Sequence, residues 1–406
     1  MRLAELGAGS PFGAHALPYG VFRRPGAPAR VGVRLGDTVL DLPALARRGL
    51  LDAVPGAEAL FAQPALNAFM ARGPETWRAV RDALRALVAG ADGAADAAEA
   101  LVAIGEVELL LPFAVADFVD FFSSLEHATN VGRLFRPQGE PVQPNWRHLP
   151  VGYHGRAGSV VVSGTPVVRP RGQARDMGEE LPRFGPSRRL DLELELGFVV
   201  GTPSQQGEPV ALGRALDHVF GALLVNDWSA RDLQAWEYRP LGPFVSKAFA
   251  TSISPWVLPL DALAPYRVAG PSQEPPPLPH LRGTPWAYDL ALEIELNGAV
   301  VSRTNARHLY WNVAQQIAHL TSGGAPLRTG DLLASGTISG PEPDARGCLL
   351  ELTANGAEPL TLPGGARRTF LEDGDEVLLR GMAGAGTSAA VGLGVVRGRV
   401  APAPPL

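Results

Sequence analysis

The chain has 406 residues, of which 46% are hydrophobic and 19% charged, the proportions of an ordinary globular protein that can bury a sizeable core. Its formal net charge of −5 comes without a basic stripe, which excludes nucleic acid as an expected partner. A single cysteine, Cys348, excludes an internal disulfide and a thiolate zinc cluster. The sequence has neither a membrane-length apolar run nor a signal-peptide core at its N-terminus, and therefore predicts a cytoplasmic protein that does not bind a membrane.

The N-terminal part predicts a small unit without catalytic groups. Within residues 31–42, two strand-like segments, 31–35 and 38–42, flank a Gly36-Asp37 turn, which predicts a β-hairpin. Residues 73–90 begin with Gly-Pro, end with Gly and carry one apolar face, which predicts a helix. The Ala-, Gly- and Asp-rich residues 91–100 predict a surface connection, and we place a domain boundary near residue 112.

Residues 190–197, LDLELELG, alternate leucines with carboxylates and predict a half-buried strand with one apolar and one acidic face. Carboxylates about 6.5–7 Å apart on such a face repel by about 2.5 kcal/mol at an effective dielectric near 20. The face therefore requires water, a basic partner or a metal cation. Residues 290–296, LALEIEL, repeat the pattern with Glu293 and Glu295 and lead into an Asn297-Gly298 turn. The alternation alone does not decide which of the two acidic faces forms a functional site.

Residues 117–256 are rich in groups that can carry chemistry. Asp120 and His127 are seven residues apart, compatible with a loop or helical turn that presents both to one site. Residues 152–155 predict a turn that holds Tyr153 outward. The apolar run 220–225 predicts a buried strand that delivers Asp227 to its end.

The residues that follow Asp227 predict a short helix and a buried cation. Ser229 is predicted to cap this helix, which places Arg231 and Gln234 on one face. Asp232 and Glu237 fit ordinary solvated charges. Lys247 has an apolar neighbourhood, which argues for a carboxylate or an anionic partner because an unpaired buried ammonium is costly.

The C-terminal part predicts further strands and one helix. The proline-rich residues 257–288 predict an exposed connection, and residues 307–320 predict a helix with one apolar face. Residues 330–343 predict a strand and a turn rich in backbone and hydroxyl donors. Glu351 lies among leucines in a predicted strand, so we expect it to have a partner.

Five motifs in this order resemble the fumarylacetoacetate hydrolase family over nearly the whole chain: HATNVG, PNWRHLPVGYHGRA, LDLELEL, NDWSARDLQAWEYRPLGPF and GDLLASGTISGPEP. The resemblance implies a mainly β fold with some α. It also implies an N-terminal SH3-like barrel over residues 1–112, a C-terminal mixed β-roll over residues 113–406, and a homodimer.

The resemblance also implies roles for individual residues. It implies metal ligands at Asp120, Glu193, Glu195 and Asp227, with Lys247 and Thr251 beside the metal; this favours 190–197 over 290–296. Such an all-carboxylate set suits Mg²⁺ or Ca²⁺ rather than zinc. It implies a general base at His127, oriented by Glu351, and oxyanion donors at Arg231, Gln234 and Lys247. It implies substrate contacts at Phe122, Arg136, Tyr153, Gln234, Tyr238 and Thr337. Phe122 departs from the family, whose close members have tyrosine there, so one hydroxyl donor is missing.

The implied reaction is hydrolysis of a carbon–carbon bond in fumarylacetoacetate, a small-molecule substrate, to fumarate and acetoacetate in tyrosine and phenylalanine breakdown. The same fold also hosts acylpyruvate hydrolases, hydratases and decarboxylases, and a metal-bound protein without catalysis is a further alternative. His127 within an intact HATNVG block argues against a lyase. A non-catalytic protein would not need a base, its orienting residue and oxyanion donors together.

Overall fold

The structure is a computed structural model that describes residues 2–176 and 178–405. The chain is mainly β, with two larger mixed or antiparallel sheets and short helices between strands, which confirms the predicted fold class. No helix within these residues combines the length and the hydropathy needed to cross a membrane.

A thirteen-stranded sheet forms the centre of the molecule. From one edge to the other its main path is Leu101–Ala103, Thr38–Asp41, Arg30–Leu35, Tyr19–Arg23, Trp256–Pro259, Val219–Asp227, Leu194–Val200, Leu332–Ala334, Phe118–Phe121 and Gly152–Gly155. Off this path are Glu108–Leu110, Thr251–Ile253 and Val160–Val162. Strand 118–121 is parallel to 332–334, whereas 194–200 is antiparallel to both 332–334 and 219–227. Several of the predicted site residues therefore lie on strands that are close to one another along this path.

The first 112 residues contribute five strands to this sheet rather than a separate layer. Tyr19 pairs with Val257, and its ring packs against Phe69, which in turn packs against Phe220. The N-terminal helices are Leu3–Leu6, Leu42–Arg47, Ala57–Phe61, Asn67–Met70, Pro74–Ala89 and Gly93–Asp96, followed by a 3₁₀ turn at Ala98–Ala100. The N-terminal residues thus share both a sheet and a hydrophobic core with the later ones. The prediction of a surface connection at 91–100 holds for the six exposed residues of the segment, but the segment is partly helical and Ala97 and Ala100 are fully buried.

A second, five-stranded sheet contains the other acidic strand. Its order is Ala299–Asn305, Ala291–Leu296, Glu376–Ala383, Val391–Ala401 and Val167–Val168. The leucines of 190–196 and the leucines and isoleucine of 290–296 belong to the same buried core. Both alternating segments therefore bury their apolar face as predicted, and they differ in what covers the acidic face.

Shorter elements complete the fold. The two-stranded ladders pair Arg171–Ala174 with Arg183–Pro186, Leu190–Asp191 with Ser229–Ala230, Arg267–Ala269 with Trp286–Tyr288, and Leu360–Thr361 with Arg367–Arg368. The later α-helices are Leu125–Phe135, Arg231–Glu237, Leu260–Leu263, Val313–Leu320 and Leu349–Leu352. The 3₁₀ segments after residue 100 are Ile104–Glu106, Pro144–Arg147, Ala157–Ser159, Leu212–His218, Val245–Lys247, Ala264–Tyr266 and Ala306–His308.

Three local predictions in the C-terminal half need correction. The predicted helix at 307–320 begins only at Val313, because Asn312 and Gln315 form a reciprocal capping box there. Residues 257–288 are not simply an exposed connection: they contain strand and helix, and Leu281 is fully buried. Glu351 lies on a helix and not on a strand. That helix starts where the Asp191 carboxylate accepts hydrogen bonds from the N–H groups of Leu349 and Leu350, at 2.8 and 3.0 Å.

Candidate active site and metal centre

Four carboxylates converge on one buried point, and we call them the carboxylate cluster: Asp120, Glu193, Glu195 and Asp227. One oxygen from each lies within 4.8 Å of the others, and none of the four residues is more than 4% exposed. Asp120, Glu195 and Asp227 lie on strands of the central sheet, Asp227 at the last residue of its strand. Sheet pairing therefore brings together residues that are far apart in sequence.

The acidic strand differs from the predicted half-buried strand in two respects. Residues 190–200 are buried on both faces, so its carboxylates do not face solvent. The strand is also interrupted at residues 192–193. At this break the Glu193 N–H donates to Asn226 Oδ1 at 3.0 Å, and the Asp227 N–H donates to the Glu193 carbonyl at 3.1 Å. These bonds fix Glu193 beside Asp227 although neither residue faces the other in a regular ladder.

Two buried cations contact the carboxylate cluster. Lys247 Nζ donates to Glu193 and, at 2.6 Å, to Asp227 Oδ2. Arg231 Nη2 lies 2.7 Å from Glu193 Oε1, while its Nε donates to Asp191 Oδ2 at 2.8 Å. The predicted carboxylate partner of Lys247 is therefore present. Among residues 2–176 and 178–405, the salt-bridge partners of these carboxylates and of Asp191 are Arg231 and Lys247.

The pKa values reflect this excess of negative charge. Burial, reinforced by the neighbouring carboxylates, raises the pKa of Asp120 and of Glu195 well above the usual range. Burial also raises the pKa of Asp227. For Glu193 burial acts in the same direction, but the charges of Lys247 and Arg231 outweigh it and lower the pKa. Two ionised carboxylates 4.8 Å apart repel by about 3.5 kcal/mol at an effective dielectric near 20, so full ionisation requires added positive charge.

The oxygens left without partners fit a hard divalent cation. Asp120 Oδ1 and Glu195 Oε1 are buried and accept no hydrogen bond from any residue that the structure describes. Leaving such atoms unsatisfied is costly, and carboxylate oxygens are the ligands that Mg²⁺ and Ca²⁺ prefer. The donor set contains neither thiolate nor imidazole, which disfavours zinc. The cluster therefore has the chemistry of a site for a hard divalent cation.

The second acidic strand has a different environment. Glu293 lies 3.1 Å from Arg303, and Glu295 lies 3.3 Å from Arg380, both across neighbouring strands. The two glutamate side chains are 28% and 23% exposed. These are half-exposed ion pairs on an outer sheet face, and their repulsion is compensated without a metal.

A histidine–glutamate pair forms the second part of the site. His127 Nδ1 lies 2.6 Å from Glu351 Oε2, and both side chains are almost fully buried. The His127 helix, Leu125–Phe135, begins at Ser124, whose Oγ accepts the His127 N–H at 3.2 Å. Helix capping and the hydrogen bond to Glu351 together fix the imidazole, which leaves Nε2 without a hydrogen-bond partner in the described part of the chain.

Glu351 is held by further donors. Asn130 Nδ2 donates to Oε1 and Ser339 Oγ to Oε2, both at 2.8 Å. Burial by itself would raise the pKa of Glu351, but the charge of His127 and these hydrogen bonds lower it to about 2. Cys348 Sγ also lies 3.2 Å from Oε2, and burial raises the pKa of this thiol well above its usual value. Cys348 therefore acts as a weak donor to Glu351, and an ionised Glu351 keeps the imidazole proton on Nδ1.

Comparison with known proteins identifies the family. The family model described as fumarylacetoacetate (FAA) hydrolase C-terminal matches residues 118–401, and the model described as fumarylacetoacetase N-terminal matches residues 15–112. The chain belongs to the fumarylacetoacetate hydrolase family. Among its relatives, the fumarylacetoacetase of Arabidopsis thaliana is 46% identical, over 99% of this chain and 98% of that one. The fumarylacetoacetase of Homo sapiens is 44% identical, over 99% of each chain.

A solved structure with the same fold is that of the fumarylacetoacetate hydrolase from the psychrophilic Exiguobacterium antarcticum. It superimposes with a TM-score of 0.56 over 95% of this chain and 99% of that chain, at 18% sequence identity. At this identity the likeness concerns the fold alone.

The family resemblance predicted further residues beside a metal or the substrate. Three of them, Tyr153, Thr251 and Gln234, contact the carboxylate cluster or the buried Arg231. The Tyr153 hydroxyl donates to Asp227 Oδ2 at 3.0 Å, and Thr251 Oγ1 donates to Asp227 Oδ1 at 3.2 Å. Gln234 Oε1 accepts from Arg231 Nη1 at 3.1 Å, which leaves the amide nitrogen as a donor. Tyr153 lies in strand 152–155 with its hydroxyl on the cluster, so the predicted outward turn is wrong.

The other predicted substrate contacts are Phe122, Arg136, Thr337 and Tyr238, and of these Phe122 lies beside His127. Phe122 packs edge-on against the His127 ring, with centroids 5.1 Å apart. Arg136 ends the His127 helix, with Nη2 donating to the Pro141 carbonyl and a buried Nε that has no partner among residues 2–176 and 178–405. Thr337 Oγ1 is likewise buried without a partner there, and Tyr238 ends helix 231–237 and is half-buried.

Several residues that matter to the site were not predicted. Asp191 both caps the Glu351 helix and binds Arg231, and it therefore connects the two halves of the site. Asn130 belongs to the HATNVG motif at i+3 from His127, so helical spacing could have identified it. Ser339 lies in the donor-rich turn at 330–343, but its partner could not be read from the sequence.

The predictions around helix 231–237 were partly wrong. Ser229 does not cap the helix: its hydroxyl donates to the Asp227 carbonyl at 2.9 Å, and no side chain within the described residues caps the helix start. Asp232 is not a solvated charge, because it accepts hydrogen bonds from Arg183 and Ser187 at 2.7 and 2.6 Å. Glu237 accepts hydrogen bonds from three consecutive backbone N–H groups in the turn that precedes Lys247.

Proposed function

We propose that this chain hydrolyses the carbon–carbon bond of fumarylacetoacetate that joins the fumaryl and acetoacetyl parts, with fumarate and acetoacetate as products. The observation that carries the proposal is the His127–Glu351 pair beside an all-carboxylate cation site. A base for water and a centre of positive charge for an enolate are the two requirements of this reaction. Near-full-length relatives named fumarylacetoacetase support the same substrate.

His127 is the proposed general base. Glu351 accepts the Nδ1 proton, so the unpaired Nε2 is the nitrogen that removes a proton from water. The resulting hydroxide adds to the fumaryl-side carbonyl carbon. The carbon–carbon bond then breaks, its electron pair leaves on the acetoacetyl carbon as an enolate, and a proton completes acetoacetate. A positioned base of this kind contributes about 10²–10⁴ in rate.

Lys247, Gln234 and Arg231 are the proposed groups that stabilise the negative oxygen formed on addition. Lys247 uses two of its three ammonium donors on Glu193 and Asp227, which leaves one. Arg231 holds the amide oxygen of Gln234 and so directs the amide nitrogen away from itself. One oriented donor to such an oxygen is worth about 3–4 kcal/mol.

The carboxylate cluster is the proposed site for Mg²⁺ or Ca²⁺, held by Asp120, Glu193, Glu195 and Asp227 with Lys247 and Thr251 alongside. The support is the pair of unpartnered carboxylate oxygens and the excess of negative charge. When bound, the cation supplies Lewis-acid charge to the dicarbonyl oxygens. Tyr153 and Thr251 orient Asp227 through their hydroxyl groups.

The test is incubation of purified protein with fumarylacetoacetate and Mg²⁺, with the products identified by NMR. Fumarate and acetoacetate in equal amounts are the expected result. A hydrated or decarboxylated product that keeps the carbon–carbon bond would assign the chain to another chemistry of this fold. An unchanged substrate in metal-loaded protein would refute catalysis on this compound.

A homodimer is proposed as the assembled form. Large apolar side chains are exposed in the segment after helix 231–237 and in the hairpin 171–186: Leu181, Phe184, Leu241 and Phe244 are 62–96% exposed. Exposed apolar groups of this size favour a protein partner, and a second copy is the partner that the family resemblance suggests. Light scattering after gel filtration should give twice the chain mass of 42.8 kDa. Replacement of Leu241 and Phe244 by Glu should shift it to the monomer.

Two further expectations from the sequence belong to this proposal. We propose residues 1–112 and 113–406 as the two units of the chain, supported by the bounds of the two matching family models. The cytoplasmic location stays a prediction, to be checked by cell fractionation.

A further inference from the structure

The position of Lys247 depends on a turn that belongs to no sheet or α-helix. Lys247 ends the 3₁₀ segment Val245–Lys247, and its ammonium bridges Glu193 and Asp227. A lysine reaches its partners through a flexible four-carbon stem, and holding that stem in one conformation costs rotamer entropy. An ammonium held between two carboxylates therefore requires a fixed backbone beneath it.

Glu237 fixes this backbone. Its Oε1 accepts the N–H groups of Phe244 and Ser246, both at 2.8 Å, and its Oε2 accepts the Val245 N–H at 3.1 Å. Three consecutive N–H groups thus converge on one carboxylate, in the manner of the backbone concavities that bind free anions. Here the anion is part of the chain and ends the helix that precedes the turn.

Side-chain packing within the chain does little to hold this turn. Leu241, Phe244 and Val245 are 96%, 76% and 41% exposed, so their apolar groups do not anchor the segment in the core. Ser246 is buried, but its hydroxyl has no partner among the residues that the structure describes. The Glu237 carboxylate is therefore the principal constraint on residues 244–246 within one chain.

The same short helix places both cations on Glu193. Arg231 is the first residue of helix Arg231–Glu237 and lies 2.7 Å from Glu193 Oε1, while Lys247 contacts Glu193 Oε2. Glu237 is the last residue of that helix. The helix thus positions Arg231 directly and Lys247 through the turn bound to Glu237.

We propose that Glu237 is a positioning residue for Lys247, because its carboxylate fixes the 244–246 turn and thereby sets the ammonium between Glu193 and Asp227. The expected effect of Glu237 on the catalytic rate rests on the proposed function, whereas its expected effect on cation binding does not. A displacement of about 1 Å at a catalytic group can reduce the rate about 10²-fold.

The kinetic test is a double-mutant cycle with Glu237→Ala and Lys247→Ala. Glu237→Ala should lower kcat about 10- to 100-fold with a smaller change in KM. In the Lys247→Ala background the same change should cost less than about twofold, because the residue it positions is already gone. Glu237→Gln, which keeps one acceptor oxygen, should lie between wild type and Glu237→Ala. Glu75→Gln, on an exposed carboxylate in the first turn of helix Pro74–Ala89, is the matched control and should leave kcat unchanged.

The second readout needs no substrate. Calorimetric titration of metal-free protein with Mg²⁺ should show that Glu237→Ala changes Kd in the same direction as Lys247→Ala, and that the double variant matches Lys247→Ala alone. If Glu237→Ala has the same effect in wild type as in the Lys247→Ala variant, the two effects are additive and the proposal is overturned. The proposal is also overturned if Glu237→Ala loses the dimer mass but binds Mg²⁺ normally. If wild type does not turn over fumarylacetoacetate but the Mg²⁺ cycle is non-additive, the proposed reaction fails and the role of Glu237 stands.

Discussion

Replacing Glu195 by Gln should remove the thermal stabilisation of this protein by Mg²⁺. Glu195 is fully buried, one of its oxygens accepts only the Gly336 N–H at 3.1 Å, and the other has no partner in the described chain. Burial and the neighbouring carboxylates raise its pKa, which favours the neutral carboxyl group when no cation is bound. Gln is neutral as well, and we expect the variant to melt close to wild type in chelator.

The magnitude with Mg²⁺ follows from linkage. A cation present at a hundred times its Kd stabilises the wild type by about 2.7 kcal/mol, which is about 3 °C for a chain of this length. If the lost carboxylate weakens binding about a hundredfold, the same Mg²⁺ concentration stabilises the variant by only about 0.4 kcal/mol. Differential scanning calorimetry with chelator and with Mg²⁺ measures both values.

Glu293→Gln and Glu295→Gln are the matched controls, because they lie in the same sequence pattern on the other sheet. Their half-exposed ion pairs with Arg303 and Arg380 are worth at most about 1 kcal/mol, so Tm should change by about 1 °C or less. Their Mg²⁺ response should equal that of wild type. A full Mg²⁺ response in Glu195→Gln, or its loss in either control, would refute the assignment of the cation site to residues 193–195.

Three further predictions concern the base, the substrate contact and the pH dependence. His127→Ala should lower steady-state kcat by about 10²–10⁴, and Glu351→Gln should lower it by less. Both variants should keep the circular dichroism of wild type. A near-normal kcat in His127→Ala would rule out His127 as the base. Phe122→Tyr should lower KM by up to about tenfold if the added hydroxyl reaches the substrate, whereas a large rise in KM would show that it is only desolvated. Burial would raise the pKa of Asp375, but hydrogen bonds, first that from Arg368, lower it. Its stabilisation is therefore present above about pH 4 and is lost as pH falls through the lowered pKa, so Asp375→Asn should reduce Tm at pH 7 and the difference from wild type should shrink as pH falls below about 4.

Local patterns in the sequence determined much of this protein. The alternation at 190–196 and at 290–296 correctly placed apolar residues in one core, and the Gly-Pro start and Gly end correctly bounded helix Pro74–Ala89. The capping box at Asn312 was also readable, although the apolar periodicity pointed to an earlier start. These features depend on neighbours within a few residues, which is the range over which propensity, periodicity and capping act.

The tertiary structure decided which acidic strand forms the site. The two segments are equivalent by period, but only Glu195 lies on the path of the central sheet that also carries Asp120 and Asp227, and Glu193 comes immediately before that strand. The pairing of strands 118–121, 332–334, 194–200 and 219–227 is a long-range arrangement that composition and spacing do not encode. The family motifs supplied this grouping by resemblance, and the sequence pattern alone left it open.

The same reason explains the local errors around the site. Asp191 starts the Glu351 helix from 158 positions away in the chain, so the leucine-rich segment could be read equally well as a strand. Glu237 looked like a solvated charge because its three donors belong to a turn that follows the helix. The sequence by itself determined which segments are apolar, acidic or turn-forming. Only the tertiary structure decided which carboxylates contact a cation and which accept hydrogen bonds from backbone N–H groups. An unpaired buried carboxylate is costly, so each one binds the partner that the fold brings within hydrogen-bond distance.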